Sequence, residues 1–286
     1  MQPQEVRKVG VVGCGLMGSG IVEVVGRAGA EVVYVETSPE LVGRGRAAIE
    51  RSMARAVERG KLDPEERDEV LARIRGTTDL AELADVDLVI EAATEDPTAK
   101  AEMFRRLGEL TREEVVLASN TSSIPIADLA AASGRPERVV GMHFFNPPPV
   151  MKLLEVTPAL TTSEETLALA RGYGELLGKT VVVARDEAGF IVNRLLVPFL
   201  NDAVRLLEAG SATREDIDAA VKLGLGHPMG PLELLDLIGL DTQLAISEVL
   251  LGEFGDPRYA PPPLLRRMVA AGRLGRKAGR GFYDYG

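Results

Sequence analysis

The sequence contains two histidines, and histidine is the side chain best suited to proton transfer near neutral pH. His143 directly follows the apolar run 138–142, whereas His227 lies in a segment with no other chemical signal, so we assign His227 to loop structure. Glu155, twelve residues after His143, is the one acid in the apolar segment Leu-Leu-Glu-Val. A buried carboxylate needs a partner, and a carboxylate bonded to an imidazole fixes its tautomer and stabilises its protonated form. We therefore predict that this pair performs general acid and base catalysis.

A glycine-rich turn follows the first apolar strand pattern. It reads Gly13-Cys-Gly15-Leu-Met-Gly18, and a helical pattern and a second strand pattern ending in Glu36 come after it. In such turns the first glycine makes the tight bend, the second lets the backbone approach a pyrophosphate, and the third lets helix and strand pack closely. Glu36 lies 18 residues past Gly18, where an acid accepts the ribose hydroxyls of NAD and repels the 2′-phosphate of NADP. The motif predicts an NAD site.

Other chemical signatures are incomplete. Gly178-Lys-Thr180 resembles the end of a P-loop, but Tyr173 replaces the required earlier glycine and the segment leads from a helix into a strand. No Gly-x-Ser-x-Gly motif is present, which argues against an α/β-hydrolase. The single cysteine, Cys14, excludes an internal disulfide framework and a cysteine-based zinc site, so we expect it to serve in packing and we expect no bound metal.

The composition limits the partners of the protein. A net charge of −10 argues against nucleic acid as the main partner, because phosphate binding needs a positive face. One basic segment, 264–283, carries six positive charges and no acid, either as a solvated face or as a patch that attracts an anion. No apolar run is long enough to cross a bilayer, and no secretory signal precedes the first strand pattern. We therefore expect a cytoplasmic protein that does not bind membranes.

The elements that position these residues change in character along the chain. Up to residue 184, short β-branched runs alternate with helical patterns, which predicts a doubly wound, mainly parallel α/β sheet. The long gap at about 39–75 predicts a hairpin of two charged helices, broken at Gly60 and resumed with Asp63 as the cap. No strand pattern follows residue 184. We predict a first domain over 1–185 and an all-helical second domain over 186–286, with helices at 195–209, 213–223, 230–251 and 263–271.

Two further polar positions are candidates for the site. The segment Ser119-Asn-Thr-Ser-Ser123 follows a strand pattern, so its side chains belong to the carboxyl edge of the sheet, where ligands bind. We expect at least one of its serines to cap the helix that follows. Asn193 stands at the start of the helical domain, either as a cap or as a residue that reaches the substrate.

Taken together, these segments resemble the L-3-hydroxyacyl-CoA dehydrogenase family, and in particular its short 3-hydroxybutyryl-CoA dehydrogenases. The resemblance covers nearly the whole chain. It includes the glycine motif, Glu91-Ala-Ala-Thr-Glu95 with Lys100, Ser119–Ser123, His143-Phe-Phe-Asn-Pro147, Gly189-Phe-Ile-Val-Asn-Arg194, Gly230-Pro-Leu, Asp236 with Gly239-Leu-Asp241, and Gly281-Phe-Tyr.

The resemblance implies a Rossmann-type NAD-binding domain with the helical hairpin as an insertion, and a helical C-terminal domain that builds a homodimer. It implies that His143 is the catalytic base, that Glu155 is its partner, and that Ser122 and Asn193 contact the substrate oxygen. Further cofactor contacts are implied for Leu16, Met17, Glu95, Lys100 and Asn120.

For the CoA portion, the resemblance implies contacts from Ser52 and Arg59 on the hairpin, with Arg59 in place of the commoner lysine. The implied reaction is the NAD-dependent interconversion of (S)-3-hydroxyacyl-CoA and 3-ketoacyl-CoA, a step of fatty acid metabolism such as β-oxidation.

Two alternatives stay open. One is a related hydroxyacid dehydrogenase acting on a free acid, of the gulonate type. The other is a silent NAD-binding protein of the lens-crystallin kind, although a silent protein has no need of His143, Glu155, Ser122 and Asn193 together.

Overall fold

The structure is a computed structural model that describes all residues, 1–286. The chain divides into two compact units, Met1–Glu187 and Ala188–Gly286. No helix is both long enough and apolar enough to cross a membrane.

The first unit is built on one eight-stranded sheet. The strands are β1 (Lys8–Val12), β2 (Glu31–Val35), β3 (Ile74–Thr77), β4 (Leu88–Glu91), β5 (Val116–Ser119), β6 (Val139–Phe144), β7 (Leu153–Pro158) and β8 (Thr180–Val183). Their order is β3-β2-β1-β4-β5-β6-β7-β8. The first six strands are parallel, so their carboxyl ends share one edge, and the order reverses at β1, where open α/β sheets bind ligands. Strand β7 is antiparallel to β6 and parallel to β8.

Helices cover this sheet through apolar faces. They are α1 (Leu16–Arg27), α2 (Pro39–Glu58), α3 (Pro64–Ala72), α4 (Pro97–Leu110), α5 (Ile126–Ala132) and α6 (Glu164–Leu176). Helices α2 and α3 form the predicted hairpin. Helix α2 buries only Gly45, Ile49 and Met53, a stripe at four-residue spacing, and so leaves most of its charged surface exposed.

The structure corrects three details of the first unit. The strand β3 falls partly within the predicted hairpin limits of 39–75, and its sequence Ile-Arg-Gly-Thr has only one large apolar residue to signal it. Helix α3 begins where expected, but the Asp63 side chain makes no cap hydrogen bond. His143 was predicted just beyond its strand, whereas it lies inside β6 because the ladder with β7 extends to Phe144.

The second unit is helical, as predicted. Its helices are α7 (Val192–Glu208), α8 (Arg214–Leu225), α9 (Pro231–Ile238), α10 (Leu240–Phe254) and α11 (Pro263–Ala270). The single helix predicted over 230–251 is wrong, because the chain breaks between α9 and α10 at Gly239, whose φ of +102° is incompatible with a continuous helix. Leu200, Leu232 and Leu265, from three different helices, belong to its buried core.

Two buried carboxylates hold the final residues onto these helices. Asp236 accepts hydrogen bonds from the backbone N–H groups of Phe282 and Tyr283, each at 2.8 Å, and from the Tyr285 hydroxyl at 3.0 Å. Asp218 accepts one from the Tyr283 hydroxyl at 2.8 Å. A Cβ at position 281 would lie 1.9 Å from Asp236 Oδ1, so glycine is required there. The motif residues Asp236 and Gly281 thus serve the packing of this unit.

The basic segment 264–283 is largely neutralised. Four of its six cations form ion pairs with acids from outside the segment: Arg266 with Glu248, Arg267 with Glu208, Lys277 with Asp241, and Arg280 with Asp284. These pairs favour a solvated face over an anion-binding patch.

Candidate active site

The glycine turn between β1 and α1 has the geometry of a pyrophosphate cradle. Gly13 adopts φ of +86°, and a Cβ at Gly18 would lie 1.9 Å from the carbonyl oxygen of Gly13, so both positions exclude other residues. A Cβ at Gly15 would meet no atom within 4 Å, which leaves open space beside the start of α1. Helix α1 begins at Leu16, and the first N–H groups of a helix have no partners within it. The N–H groups of Leu16 and Met17 therefore favour an anion.

Glu36 lies beside this turn, just after β2. Its Oε1 accepts a hydrogen bond of 2.6 Å from the Cys14 N–H, which fixes the carboxylate. Burial, and secondarily the charge of Glu36, raises the pKa of the Cys14 thiol to about 12, so this cysteine stays neutral as a packing residue. Glu36 also lines a cavity of about 720 Å³ together with Gly13, Thr37 and Arg106. The volume suits the adenosine half of a dinucleotide.

A buried ion pair stands at the end of β4. The Lys100 Nζ lies 2.6 Å from both carboxylate oxygens of Glu91, and the Ser119 hydroxyl donates a 2.8 Å hydrogen bond to Glu91 Oε2. Glu95 is exposed, and its Oε2 lies 3.7 Å from the Lys100 Nζ. Glu95 and Lys100, predicted from the resemblance, are therefore brought together. Glu91 and Ser119 were not predicted as site residues, although Glu91, like Glu155, is an acid in an apolar strand.

The segment 119–123 packs against Glu95. The Thr121 hydroxyl donates to Glu95 Oε2 at 2.9 Å, and the Ser122 N–H donates to Glu95 Oε1 at 2.9 Å. The Asn120 Oδ1 accepts from the Phe144 N–H at 2.8 Å, which ties this segment to the end of β6 beside His143.

The predicted serine cap of α5 is wrong. The cap residue is Pro125, and the carboxylate of Asp186 instead accepts from the N–H groups of Ile126 and Ala127, at 2.7 and 2.8 Å. An acid sixty residues away along the chain satisfies this helix start. The serines are not needed for that purpose.

His143 and Glu155 face each other directly across β6 and β7. They are register partners of the antiparallel ladder, and such partners place their side chains on the same face. The His143 Nδ1 lies 2.8 Å from Glu155 Oε2, and Glu155 is fully buried. Because a carboxylate accepts but does not donate, this bond places the proton of the neutral ring on Nδ1 and leaves a lone pair on Nε2. The pair has the arrangement of an oriented general base.

Helix α2 of the hairpin carries both residues predicted to contact CoA, Ser52 and Arg59, although Arg59 is its C-terminal cap. Ser52 lines a cavity of about 320 Å³ with Arg51, Arg55 and Asn146, and it lies near the buried carboxyl of Glu23. Burial raises the pKa of that Glu23 carboxyl, against the opposing effects of Ser52 and Arg27. Arg59 is exposed at the end of α2 and does not line this cavity.

Asn193 belongs to the second unit, at the second residue of α7. The chain leads into this helix through two consecutive residues with positive φ, Gly189 at +77° and Phe190 at +46°. The second value is unfavourable for a side chain, which indicates that the surrounding packing determines this turn. Asn193 thus lies in the first turn of α7, shortly after a strained turn.

The first unit therefore brings most of the predicted residues to one edge of its sheet. The glycine turn and Glu36 follow β1 and β2, Glu95 and Lys100 follow β4, the segment 119–123 follows β5, and His143 lies near the end of β6.

Comparison with known proteins identifies relatives over nearly the whole chain. Residues 8–187 match the family model described as 3-hydroxyacyl-CoA dehydrogenase, NAD binding domain, and residues 189–285 match the C-terminal domain of 3-hydroxyacyl-CoA dehydrogenase. A 3-hydroxybutyryl-CoA dehydrogenase of Mycobacterium tuberculosis is 52% identical over 282 residues, covering 98% of this chain and 99% of the relative. The human mitochondrial hydroxyacyl-coenzyme A dehydrogenase is 42% identical, covering 98% and 91%.

A solved structure shows the same similarity. The crystal structure of (S)-3-hydroxybutyryl-CoA dehydrogenase PaaH1 from Ralstonia eutropha superimposes with a TM-score of 0.94 at 46% identity, covering 99% of this chain and 100% of the other.

Proposed function

The chain belongs to the 3-hydroxyacyl-CoA dehydrogenase family, and from this premise we propose that it interconverts (S)-3-hydroxyacyl-CoA and 3-ketoacyl-CoA with NAD as the redox cofactor. The proposed substrates have short acyl chains, as in 3-hydroxybutyryl-CoA and acetoacetyl-CoA. The observation that carries the proposal is the His143 and Glu155 pair, which lies on the same sheet edge as a glycine turn shaped for a pyrophosphate.

The chain's own residues fit NAD. The open space at Gly15 and the start of α1 receive the pyrophosphate, and Glu36 accepts the hydroxyls of the adenosine ribose. The nicotinamide half of NAD is contacted by Glu95, Lys100 and Asn120. When bound, the cofactor supplies the acceptor or donor of hydride for C3 of the substrate.

The proton is handled by His143. In the oxidation direction, its Nε2 takes the proton of the C3 hydroxyl, while Glu155 at Nδ1 orients the ring and stabilises the imidazolium that forms. In the reduction direction, the protonated ring returns that proton to the C3 oxygen. Ser122 contacts the same substrate oxygen, and so restricts the substrate to the orientation in which His143 can reach that oxygen. For Asn193, a contact with the substrate stays a prediction.

Turnover assays separate the proposal from its two rivals. We expect NADH-dependent reduction of acetoacetyl-CoA, with little activity on free hydroxy acids. Turnover of free acids without turnover of acetoacetyl-CoA would favour the gulonate-type alternative, and NADH binding without any turnover would favour the silent protein.

The CoA portion is proposed to bind along the hairpin. Arg51, Arg55 and Arg59 recur at four-residue spacing at the exposed surface of α2, and none forms an ion pair, so the helix presents a positive stripe to the CoA phosphates. Ser52 lies next to this stripe at the 320 Å³ cavity.

Replacing Arg59 with Ala is expected to raise the KM for acetoacetyl-CoA about three- to tenfold, because one charge-assisted phosphate contact is lost. The KM for a pantetheine-truncated substrate should not change. Arg171→Ala, at an exposed position of α6, is the matched control. Equal effects of Arg59→Ala on the two substrates would contradict the CoA contact.

We also propose that the helical unit forms a homodimer. Several leucines of this unit are exposed, and Leu223 on α8 is 87% exposed. A second copy of the chain would remove such apolar surface from water. The other exposed leucines of its helices are Leu195, Leu206, Leu225 and Leu237.

Leu223→Asp is expected to weaken self-association about tenfold or more, since it would place a charge in an apolar interface. Sedimentation at several protein concentrations measures the effect. Leu160→Asp, at a fully exposed leucine of the first unit, is the control and should leave the mass unchanged. A wild-type protein that sediments as a monomer at every concentration would refute the dimer.

A further inference from the structure

A carboxylate that takes no part in the proton transfer is buried at the end of β4. Glu91 is 1% exposed and Lys100 is 2% exposed. Besides the Lys100 ammonium, the carboxylate accepts the Ala93 N–H at 2.8 Å and the Ser119 hydroxyl at 2.8 Å. A buried ion pair is retained only where such hydrogen bonds offset the cost of removing both charges from water. Every hydrogen-bond partner of the Glu91 carboxylate is a donor, so the site suits an ionised acid.

The contacts continue from Glu91 to the residues proposed to meet ligands. The Ser119 Oγ, which donates to Glu91, accepts the Thr121 N–H at 3.2 Å. Thr121 and Ser122 then donate to the two oxygens of Glu95. One buried carboxylate is thereby connected to both loops that follow β4 and β5.

The charge of Glu91 also determines the position of Lys100. The Lys100 Nζ is 2.6 Å from Glu91 but 3.7 Å from Glu95. If Glu91 were neutral, the buried ammonium would have Glu95 as its nearest negative charge. We expect it to move toward Glu95 and to compete with Thr121 and Ser122 for the Glu95 oxygens. Glu91 thus holds the Lys100 ammonium at 3.7 Å from Glu95, beyond hydrogen-bonding distance.

We propose that Glu91 is a positioning residue of this site. It fixes the ammonium of Lys100 and, through Ser119, the segment 119–123, and it thereby determines the positions of Glu95 and Ser122 without touching cofactor or substrate. The inference rests on the proposed function, in which Glu95 and Lys100 contact the nicotinamide ribose.

The test is Glu91→Gln, which keeps the size of the side chain and removes its charge. We expect the Kd for NADH, measured by fluorescence titration, to rise about tenfold, and kcat with acetoacetyl-CoA to fall about tenfold. The KM for acetoacetyl-CoA should change by less than about threefold, because the CoA contacts lie on the hairpin. A wild-type Kd and kcat in folded Glu91→Gln would overturn the proposal.

A further variant separates the loss of positioning from general destabilisation. Thr166→Val removes a buried hydroxyl that donates to the Glu137 carbonyl near the opposite sheet edge, and it should lower the melting temperature without changing the Kd for NADH. If Thr166→Val weakened NADH binding as much as Glu91→Gln, the effect would be one of stability and the proposal would fail.

Ser119→Ala serves where Glu91→Gln does not fold. It retains the ion pair and removes the hydroxyl that donates to Glu91 and accepts from Thr121, so kcat should fall about threefold or more with little change in the Kd for NADH. An unchanged kcat in that variant would overturn the link between Glu91 and Thr121.

The NADH titration does not need acyl-CoA turnover. A wild-type protein that binds NADH but is inactive on acetoacetyl-CoA would refute the proposed function. The Kd of Glu91→Gln for NADH would still test this inference.

Discussion

His143→Gln is expected to lower the turnover of acetoacetyl-CoA by about two to four orders of magnitude, the usual contribution of a positioned proton-transfer group. Glutamine can still donate a hydrogen bond to Glu155, but its amide nitrogen has no lone pair with which to take a proton. Folding and NADH binding should persist, because the glycine turn and the network around Glu91 do not involve this side chain. Steady-state kinetics, NADH titration and a melting curve test the three parts.

Glu155→Gln is the companion variant. It leaves the imidazole in place but removes the charge that orients and stabilises its protonated form, so turnover should fall less severely than in His143→Gln. A folded His143→Gln protein that reduces acetoacetyl-CoA at nearly the wild-type rate would eliminate the proposed mechanism. If Glu155→Gln lost more activity than His143→Gln, our assignment of the proton transfer to His143 would be wrong.

The second large effect concerns the choice of cofactor. We expect kcat/KM with NADH to exceed that with NADPH by about a hundredfold, since like charges brought together at a binding site cost several kcal/mol and each 1.4 kcal/mol is a factor of ten. The 2′-phosphate of NADPH would approach the Glu36 carboxylate. Thr37 and Ser38, which follow Glu36, supply no compensating cation. Arg106 lines the same cavity, but so does the acid Glu109.

Glu36→Gln isolates the charge. The amide oxygen can still accept from the Cys14 N–H, so the glycine turn should keep its shape. The preference for NADH should fall about tenfold or more, mainly through a lower KM for NADPH. Equal efficiency of the wild-type protein with both cofactors would show that Glu36 does not select NAD.

The features of the fold that the sequence predicted correctly are those with strong local signals. The glycine turn and the alternation of strands and helices are visible within short segments, and they predicted the Rossmann-type architecture. The absence of strand patterns after residue 184 predicted the helical second unit. The pairing of His143 with Glu155 was also predictable, because two polar residues in consecutive apolar strands must satisfy each other.

What the sequence did not reveal depends on contacts between distant positions. The cap of α5 comes from Asp186, which no local pattern connects to Ile126. The edge strand β3 is stabilised by its ladder with β2 rather than by an apolar pattern of its own. The partners of Glu91 lie on α4 and β5, so its role became visible only when the sheet order placed them together.

The docking of residues 282–285 on Asp236 has a consequence for protein synthesis. During translation the first unit emerges early, and domains generally fold as units, with the N-terminal one first. The helices α7 to α11 can form as they appear, but the Asp236 carboxylate meets its partners only after Tyr285 has left the ribosome. In a chain stalled before residue 282, the Asp236 carboxylate would lack these three hydrogen-bond donors. The helical unit therefore completes its packing only after residues 282–285 have been translated, and a chain stalled earlier would be an incompletely packed substrate for proteases.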